Sequence, residues 1–229
     1  MTSLRAFPLK SPNAIHTMKT IAIVYHSAHG HTGHIAHHVL EGVHSVPGVR
    51  ADLRQAQELA RTPDDLLPYD GLLMGSPTYL GGVSAPFKTF MDATGRLWKS
   101  HQLKNKLAAG FTVSSLPSGD KQSTLLSMFV FAMQHGMVWV GNPILPEQHG
   151  GVPYDEAANR LGSWSGLMAQ AGHGAAADAF VPGDTKTARM FGQHFAQTLL
   201  RLGGDGAHGA MHAVGEGGGA GEIGETVAA

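Results

Sequence analysis

A short run of small and polar residues, 27–32, carries the chemistry of an anion site. Its hydroxyl, imidazole and glycine members are Ser27, His29, Gly30, His31 and Thr32. The apolar run 21–25 precedes it, and Ile35, Val39 and Val43 follow at four-residue intervals. This pattern predicts a buried strand, a tight loop and the start of a helix. Because the first N–H groups of a helix lack partners within it, we expect this loop to bind a phosphate group.

Two more runs of small residues follow predicted buried strands. Strand 71–75 is followed by a loop that contains Pro77, Thr78, Tyr79, Leu80, Gly81 and Gly82. Strand 107–114 ends in Ser114, Ser115, Leu116, Pro117, Ser118 and Gly119. Each loop alone is weak evidence, since turns favour the same residue types. Together with 27–32 they predict one ligand crevice, because the carboxyl ends of parallel strands lie along one edge of a sheet.

Predicted strands alternate with predicted helices along the chain. The predicted strands are 21–25, 49–53, 71–75, 107–114 and 137–140. A first helix follows residue 32, and later helices span 84–98, 121–134 and 185–202. Alternation of this kind predicts an α/β fold with a parallel sheet covered on both faces. We therefore expect three layers in a doubly wound fold of flavodoxin type, with five parallel strands in the order 2-1-3-4-5.

Composition suggests one domain with two extensions. The 229 residues are enough for a single sizeable core, which we place at 18–202. Residues 1–17 are interpreted as a flexible N-terminal extension. Residues 203–229 are dominated by Gly and Ala and are interpreted as a disordered tail. The chain contains no cysteine, which excludes disulfides and a thiolate nucleophile and is compatible with a cytoplasmic protein.

Charge and hydropathy exclude two further classes of function. The 16 basic and 17 acidic residues give a net charge of -1, and no basic stripe is visible, so we expect no nucleic-acid partner. Segment 125–146 is apolar enough to suggest a membrane helix. It is interrupted by polar residues at 134–136 and 142–143, which favours a buried helix followed by a buried strand. We therefore expect no membrane insertion.

Five motifs occur in a fixed order between residues 18 and 200. They are Ser27–His31, Gly75–Thr78, Lys88–Trp98, His135–Val138 and Gly150–Tyr154. With these motifs the chain resembles the flavodoxin-like FMN proteins, and most closely the NAD(P)H:quinone oxidoreductases once named tryptophan-repressor-binding proteins. The ordered set is specific, although no single motif is.

The resemblance implies FMN as cofactor, with its phosphate on 27–32. It implies that Pro77 to Gly82 line the isoalloxazine ring and that Ser114 to Gly119 line the other edge through backbone N–H groups. His135 corresponds to a flavin-contacting histidine of the family. Structural explanations also stay open for His135 and for the aromatic residues. A histidine suits the C-terminal end of a helix, where a cation is favourable.

The resemblance also implies a substrate site, formed by His29, Trp98 and Tyr154. Trp98 can equally be a core or interface aromatic residue. His29 stands where the family has a tyrosine linked to nicotinamide binding, and Tyr79 and Leu80 stand where it has arginine and phenylalanine. These departures affect the identity of the electron donor more than FMN binding.

The implied function is transfer of two electrons from NAD(P)H, as co-substrate, to a small quinone-like acceptor. The chemistry is borne by the flavin, so no side chain is assigned a catalytic role. The resemblance further implies a homo-oligomer, a dimer or tetramer, with sites completed across subunits. The alternative is a flavodoxin-like FMN electron carrier without a substrate pocket, which the near-neutral charge disfavours. A third hypothesis is a diverged protein that has lost flavin.

Two groups of side chains have a competing structural explanation. His34 and His38 are spaced as a metal pair on a helix, but no acidic partner is evident, so we predict a solvated helix face and no metal site. In the helix after Gly119, Met128, Phe129, Phe131 and Met133 are predicted to be buried.

Overall fold

The computed structural model describes residues 18–203. The predicted extension at 1–17 and the predicted tail from 204 onward lie outside the described residues. The strands are β1 (Lys19–Tyr25), β2 (Val49–Gln55), β3 (Gly71–Tyr79), β4 (Gly82–Val83), β5 (Leu107–Ser114), β6 (Val138–Trp139) and β7 (Leu167–Gln170). The α-helices are α1 (His31–His44), α2 (Ala56–Leu59), α3 (Ala85–Ala93), α4 (Gly95–Lys99), α5 (Lys121–Gln134) and α6 (Pro182–Leu202).

The sheet has the order β2-β1-β3-β5, with β6 and β7 both beside β5. All these pairs are parallel, and β4 forms an antiparallel hairpin with β3. Strand β6 pairs with the start of β5 at Leu107 and Ala108, whereas β7 pairs with its end, from Phe111 to Ser114. The predicted flavodoxin-like order is confirmed, and its fifth position is shared by two short strands.

The chain leaves the sheet after β6 and returns at β7. Asn142 closes the base of this excursion, since its backbone N–H donates to the Trp164 carbonyl and its side-chain amide donates to the Ser163 carbonyl. The indole N–H of Trp139 donates to the Ser165 carbonyl, which fixes β6 to the returning segment. The return places the residues after β7 at the same sheet edge as those after β1, β3 and β5.

Two apolar clusters cover the two faces of the sheet. On one face α1 and α6 bury Ile35, Val39, Phe191 and Phe195 against the strands. On the other face α3, α4 and α5 bury their own apolar residues, including Phe87, Phe90, Leu97 and Met128. Each such side chain contributes about 1.5–3 kcal/mol by leaving water. In the resulting three-layer fold, the packing on both faces holds the strand ends in fixed positions.

Helices α1 and α6 touch backbone to backbone. A methyl group added at Gly42 would lie 1.9 Å from the Arg189 carbonyl oxygen, and one at Gly192 would lie 2.1 Å from the Val39 carbonyl oxygen. Only glycine permits this approach. It fixes the axis of α1, and with it the direction of the N–H groups at the start of that helix.

Three local predictions were wrong. Helix 84–98 is broken in two at Thr94, whose hydroxyl donates to the Met91 carbonyl. Strand β3 continues through Pro77 to Tyr79 because its end pairs with both β5 and β4. Phe129 and Met133 are 36% and 40% exposed, since α5 is apolar on more than one side and buries only part of its surface. Within residues 18–203, no helix is long and apolar enough to cross a membrane.

Candidate functional site

The start of α1 is an uncapped helix N-terminus. Gly30, at the cap position, has a φ of 85°, and no side chain caps the helix. The N–H of His34 donates to the Gly30 carbonyl, whereas the N–H groups of residues 31–33 have no acceptor within residues 18–203. The first turn contains no acidic residue. Three free donors and the positive end of the helix dipole therefore converge on the space in front of Gly30.

Ser27 supplies a hydroxyl at the same place. Its Oγ atom is buried and has no hydrogen-bond partner in the described part of the chain. An unpaired buried polar group costs about 1–3 kcal/mol, so this hydroxyl is suited to a ligand rather than to the protein interior. Gly33 lies beside it, because a Cβ atom there would be in van der Waals contact with the Ser27 hydroxyl, at 3.6 Å.

A cavity of about 300 Å³ lies at the carboxyl ends of β1, β3 and β5. This volume is within the range of small-molecule sites. The cavity brings together nine of the predicted site residues: Ser27, His29, His31, Thr32, Pro77, Thr78, Tyr79, Ser114 and Ser115. The convergence that the three loops predict is therefore present.

The segment after β7 completes the cavity and was missed in the sequence. Ala171, Gly172 and His173 line it. The Gly172 N–H donates to the Ala179 carbonyl at 2.6 Å, which turns the segment toward the crevice. The short β7 carries no extended apolar run, so the only available signal was the histidine itself.

The remaining predicted loop residues do not line this cavity. Gly30 forms the turn before α1. Leu80, which is fully exposed, and Gly81 form the turn of the β3–β4 hairpin, and Gly82 begins β4. The Gly81 carbonyl accepts a hydrogen bond from the Ser123 hydroxyl. The loop continues from Ser115 through Leu116, Pro117, Ser118 and Gly119 toward the start of α5.

Buried hydroxyl groups fix the end of β3. The Thr78 hydroxyl lies 2.8 Å from the hydroxyls of both Thr112 and Thr124. The Thr112 hydroxyl donates to the Ser76 carbonyl at 2.7 Å. These bonds join β3 to β5 and α5 directly below the cavity. They hold the backbone that lines it in one conformation.

A second buried network fixes the end of β1. The His26 Nδ1 atom lies 2.8 Å from the Ser84 hydroxyl, and the Ser84 backbone N–H donates to the Ser76 hydroxyl. Burial lowers the pKa of His26, so its imidazole is neutral at physiological pH. The network joins the residue before Ser27 to the hairpin that carries Tyr79.

Imidazoles are the titratable side chains of the cavity, apart from the Tyr79 phenol. His29, His31 and His173 line it, and no carboxylate of the described residues does. The His31 Nε2 atom lies 3.1 Å from the Gly174 carbonyl, which ties α1 to the segment after β7. A bound phosphate would thus meet hydroxyls, N–H groups and imidazoles, with no negative side chain opposing it.

Trp98 and His135 lie in a different cavity, of about 580 Å³, between α3, α4 and α5. The His135 Nε2 atom lies 3.0 Å from the Thr94 hydroxyl, and its Nδ1 atom is buried without a partner in the described structure. Burial lowers the pKa of His135. The Trp98 side chain is half exposed.

Helix α5 lines the second cavity from Ser123, in its first turn, to Gln134 at its end. Its 14 residues start after the loop beside Ser115 and end just before His135, a length of about 21 Å. One chain therefore does not bring Trp98 and His135 to the cavity at the strand ends, and their assignments stay predictions.

Tyr154 lies in neither cavity. Its half-exposed ring is 5.0 Å from the guanidinium carbon of Arg160. Arg160 forms a buried ion pair with Asp184, with nitrogen–oxygen distances of 2.7 and 3.0 Å. The predicted substrate role of Tyr154 also stays a prediction.

The histidine pair on α1 is held by other side chains. The Nε2 atoms of His34 and His38 are 3.1 Å apart, and the His38 Nδ1 atom lies 2.9 Å from both Glu41 and Arg189. The ring of His34 stacks on Phe180. In the part of the chain that the structure describes, no group of three potential ligands is arranged for a metal ion.

The chain is similar to a known flavodoxin and to known NAD(P)H dehydrogenases. The family model for NADPH-dependent FMN reductase matches residues 48–150. Flavodoxin FldP of Pseudomonas aeruginosa (strain UCBPP-PA14) is 34% identical over 189 residues, which cover 81% of this chain and 99% of that protein. The NAD(P)H dehydrogenase (quinone) of Archaeoglobus fulgidus is 33% identical over 211 residues, which cover 81% of this chain and all of that protein.

The chain belongs to the flavodoxin-like NAD(P)H dehydrogenase (quinone) family. Among solved structures, the WrbA-like flavodoxin from Agrobacterium tumefaciens is 30% identical, with a TM-score of 0.60 over 80% of this chain and 98% of that one. The resemblance found from the five motifs is thereby confirmed. In this family member, Ser27 and the uncapped α1 are the features that fit the phosphate of FMN.

Proposed function

We propose that this protein is an FMN-dependent oxidoreductase that passes two electrons from NAD(P)H to a quinone or similar acceptor. The observation that carries the proposal is the buried, unpaired Ser27 hydroxyl beside the free N–H groups of α1. Relatives named NAD(P)H dehydrogenase (quinone), which align over their full length, support the choice of donor and acceptor. A cytoplasmic location belongs to the same proposal, because NAD(P)H is supplied there.

In this proposal the cavity at the strand ends holds FMN. Ser27, Thr32 and the α1 N–H groups hold the phosphate, and the imidazoles of His29 and His31 add hydrogen-bonding groups beside it. Pro77, Thr78 and Tyr79 line the ring from β3, and the loop from Ser114 to Gly119 lines its other edge. The proposal extends to Leu80, Gly81 and Gly82 at the hairpin turn.

The protein's part is binding and positioning. Bound FMN supplies hydride and electron transfer chemistry, so no side-chain nucleophile is required. The hydroxyl bonds of Thr78 hold β3 against β5, which keeps the ring-lining backbone rigid. N–H groups of the 115–119 loop are suited to stabilise negative charge that develops on the ring edge.

The test has two stages. The purified protein should show flavin absorption bands, or take up one FMN per chain after reconstitution. Rapid mixing of the FMN-loaded protein with NADH or NADPH should then bleach those bands, and a quinone should restore them. A protein that binds FMN but is reduced by neither nucleotide would contradict the enzyme assignment, and one that takes up no FMN would contradict the cofactor.

The second candidate is a flavodoxin-like electron carrier. Flavodoxin FldP, 34% identical over nearly its whole length, favours it. The two candidates differ in what they do with single electrons. Stepwise reduction with dithionite should accumulate a long-lived one-electron-reduced protein if it is a carrier, and should pass directly to the two-electron-reduced protein if it is the proposed enzyme.

We further infer that a second copy of the chain, in a homodimer or homotetramer, completes the site. The second cavity, lined by Trp98 and His135, is continuous with a largely apolar face of α5. The exposed apolar residues of this face are Leu126, Phe129, Val130 and Met133. Burial of this face against a partner would bring Trp98 and His135 to another chain's flavin. The predicted roles of Tyr154 and His29 at the acceptor and donor belong to the same completed site.

Sedimentation velocity tests the assembly. Val130→Glu should shift the wild-type oligomer to a smaller species, because it places a charge in the apolar face. Val130→Thr, which has nearly the same shape and no charge, is the matched control and should leave the oligomer in place. A monomeric wild type with full quinone activity would contradict the shared site.

A further inference from the structure

The first residue of α5, Lys121, is completely buried. Its ammonium nitrogen donates to the carbonyl oxygens of Leu116, Pro117 and Ser118, at 2.6, 2.9 and 3.3 Å. No carboxylate of residues 18–203 forms an ion pair with it. An isolated buried ammonium thus sits directly behind the loop that follows β5.

Gln170, on β7, continues this set of bonds. Its side-chain N–H donates to the Ser115 carbonyl at 3.1 Å, and its backbone N–H donates to the Asp184 carboxylate at 2.9 Å. Asp184 is itself held by Arg160. Three consecutive carbonyls of the loop, from Leu116 to Ser118, therefore point at the buried ammonium, and the Ser115 carbonyl is bonded to Gln170 nearer the surface.

The opposite side of the loop presents N–H groups. Every described peptide bond is trans, so a carbonyl that points inward has its own amide N–H pointing outward. The N–H groups of Ser118 and Gly119 face away from Lys121 in this way, and within the described chain neither has an acceptor. At Gly119 the φ is 53°, and a Cβ atom would lie 2.3 Å from the Ser114 hydroxyl, so the conformation requires glycine.

Folding alone gives little reason for a lysine at this position. A cation at a helix N-terminus opposes the helix dipole, and burial of an ammonium is costly unless bonded groups compensate it. Burial lowers the pKa of Lys121 to about 8, with attraction from Asp184 opposing the change and repulsion from Arg160 adding to it. The side chain is still mostly protonated at neutral pH. A methionine of similar length would fill the space without these costs.

We propose that Lys121 is a positioning residue of the flavin site, holding the 115–119 loop with its N–H groups outward and placing a buried positive charge behind the edge of the bound ring. The proposal rests on FMN binding as proposed above. It predicts that Lys121 favours the two-electron-reduced, negatively charged form of FMN over the oxidised form. Gln170, which is uncharged, shares the first role and lacks the second.

Three variants separate these roles. Lys121→Met removes the bonds and the charge. Gln170→Met removes one loop bond, and the bond that Arg160 donates to Gln170, without a charge change. Lys186→Met removes the charge of a half-buried lysine on α6 that pairs with Glu147, away from the loop. For each, the dissociation constant of oxidised FMN is measured by fluorescence titration, and the midpoint potential by equilibration with a reference dye. Circular dichroism checks the fold of the apo-proteins.

Lys121→Met should weaken oxidised FMN about tenfold and the reduced form a further tenfold. The latter difference corresponds to a midpoint potential about 30 mV lower for a two-electron couple. Gln170→Met should weaken both forms by the same few-fold factor and leave the potential unchanged. Lys186→Met should leave both quantities unchanged. Lys121→Arg, which keeps the charge, should recover most of the lost potential.

An unchanged potential in folded Lys121→Met would overturn the charge role, and unchanged FMN affinity in both Lys121→Met and Gln170→Met would overturn the loop role. If Lys121→Met does not fold, Gln170→Met and Lys121→Arg decide: wild-type values in Gln170→Met overturn the loop role, and a potential in Lys121→Arg that falls as far as predicted for loss of charge overturns the charge role. A wild-type protein that binds no FMN contradicts the proposed function itself, and that outcome is recorded before any variant is compared.

Discussion

The crevice at the strand ends and the face of α5 are built in contrasting ways. The crevice uses backbone groups and small side chains at the strand ends. The Ser27 hydroxyl is unpaired within the described residues, and buried hydrogen bonds hold the Thr78 hydroxyl in place. The α5 face uses large apolar side chains that are partly exposed, such as Val130 and Met133. The first region is complete enough to bind a ligand by itself. In our proposal, the second region acquires its function when a second copy of the chain covers it.

The largest expected effect comes from a negative charge in the crevice. Ser27→Asp should weaken FMN binding at least 1000-fold, about 4 kcal/mol, because a carboxylate would repel the phosphate at short range. Fluorescence quenching titration measures the affinity.

The matched control, Ser27→Ala, should weaken FMN about tenfold. It should also stabilise the apo-protein by about 1 kcal/mol, since it removes an unpaired buried hydroxyl. Equal FMN affinity in the wild type and in Ser27→Asp would show that the phosphate does not bind at this end of the crevice.

The next effect concerns the loop behind the crevice and depends on pH. The pKa of Lys121 is about 8 in the folded protein and 10.5 in an unfolded chain. Between these values the unfolded state binds more protons, so rising pH stabilises the folded state. Relative to Lys121→Met, the wild type should gain roughly 3 kcal/mol in free energy of unfolding from pH 7.5 to pH 11.

Urea unfolding of both proteins at the two pH values measures this gain. Groups that titrate in both proteins contribute equally and cancel in the difference. The charged neighbours of Lys121, Asp184 and Arg160, are present in both proteins. A difference that does not change with pH would mean that the amine is not shielded from water.

A smaller effect tests the support of α1. Gly192→Ala should lower the free energy of unfolding by about 2 kcal/mol, because its Cβ atom would meet the Val39 carbonyl at 2.1 Å. Gly150→Ala is the control, since no atom lies within 4 Å of its added Cβ, and it should change stability by less than about 0.5 kcal/mol. Chemical denaturation measures both, and similar values for the two would argue against the tight α1–α6 contact.

The smallest effect addresses the α5 face. Trp98→Ala should lower kcat/KM for a quinone about tenfold, about 1.4 kcal/mol, and change FMN affinity less than twofold. Trp164→Ala removes a tryptophan of similar exposure from another surface and should leave both values unchanged. Steady-state kinetics and FMN titrations measure both values. Loss of FMN binding in Trp98→Ala would contradict the claim that Trp98 acts on the acceptor and not on FMN.

Much of the fold was predictable because local sequence patterns mark its strands and helices. Strand β5 and helix α5 have the predicted bounds, 107–114 and 121–134, since a continuous apolar run and a glycine-containing loop mark them clearly. Strand β7 was missed because its four residues have only two buried side chains and depend on pairing with β5 for their conformation. The same long-range pairing extends β3 through Pro77.

The candidate site divides in the same way. The residues after β1, β3 and β5 were predictable, because parallel strands place their ends together whatever the details of the loops. His173 was not, since its position depends on β7. Lys121 was not, because its bonds to the 115–119 loop exist only once the chain turns back on itself. The roles proposed for Trp98 and His135 depend on a contact between chains, which no pattern within one chain specifies.

Every role proposed here depends on FMN binding in the crevice between Ser27, Thr78 and Ser115. The most direct measurement is titration of the apo-protein with FMN, followed by the quenching of flavin fluorescence and by the absorption spectrum. We expect saturation at one FMN per chain in the wild type and no saturation in Ser27→Asp over the same range of FMN concentrations. A wild-type protein that stays colourless and leaves the fluorescence of added FMN unchanged would contradict it.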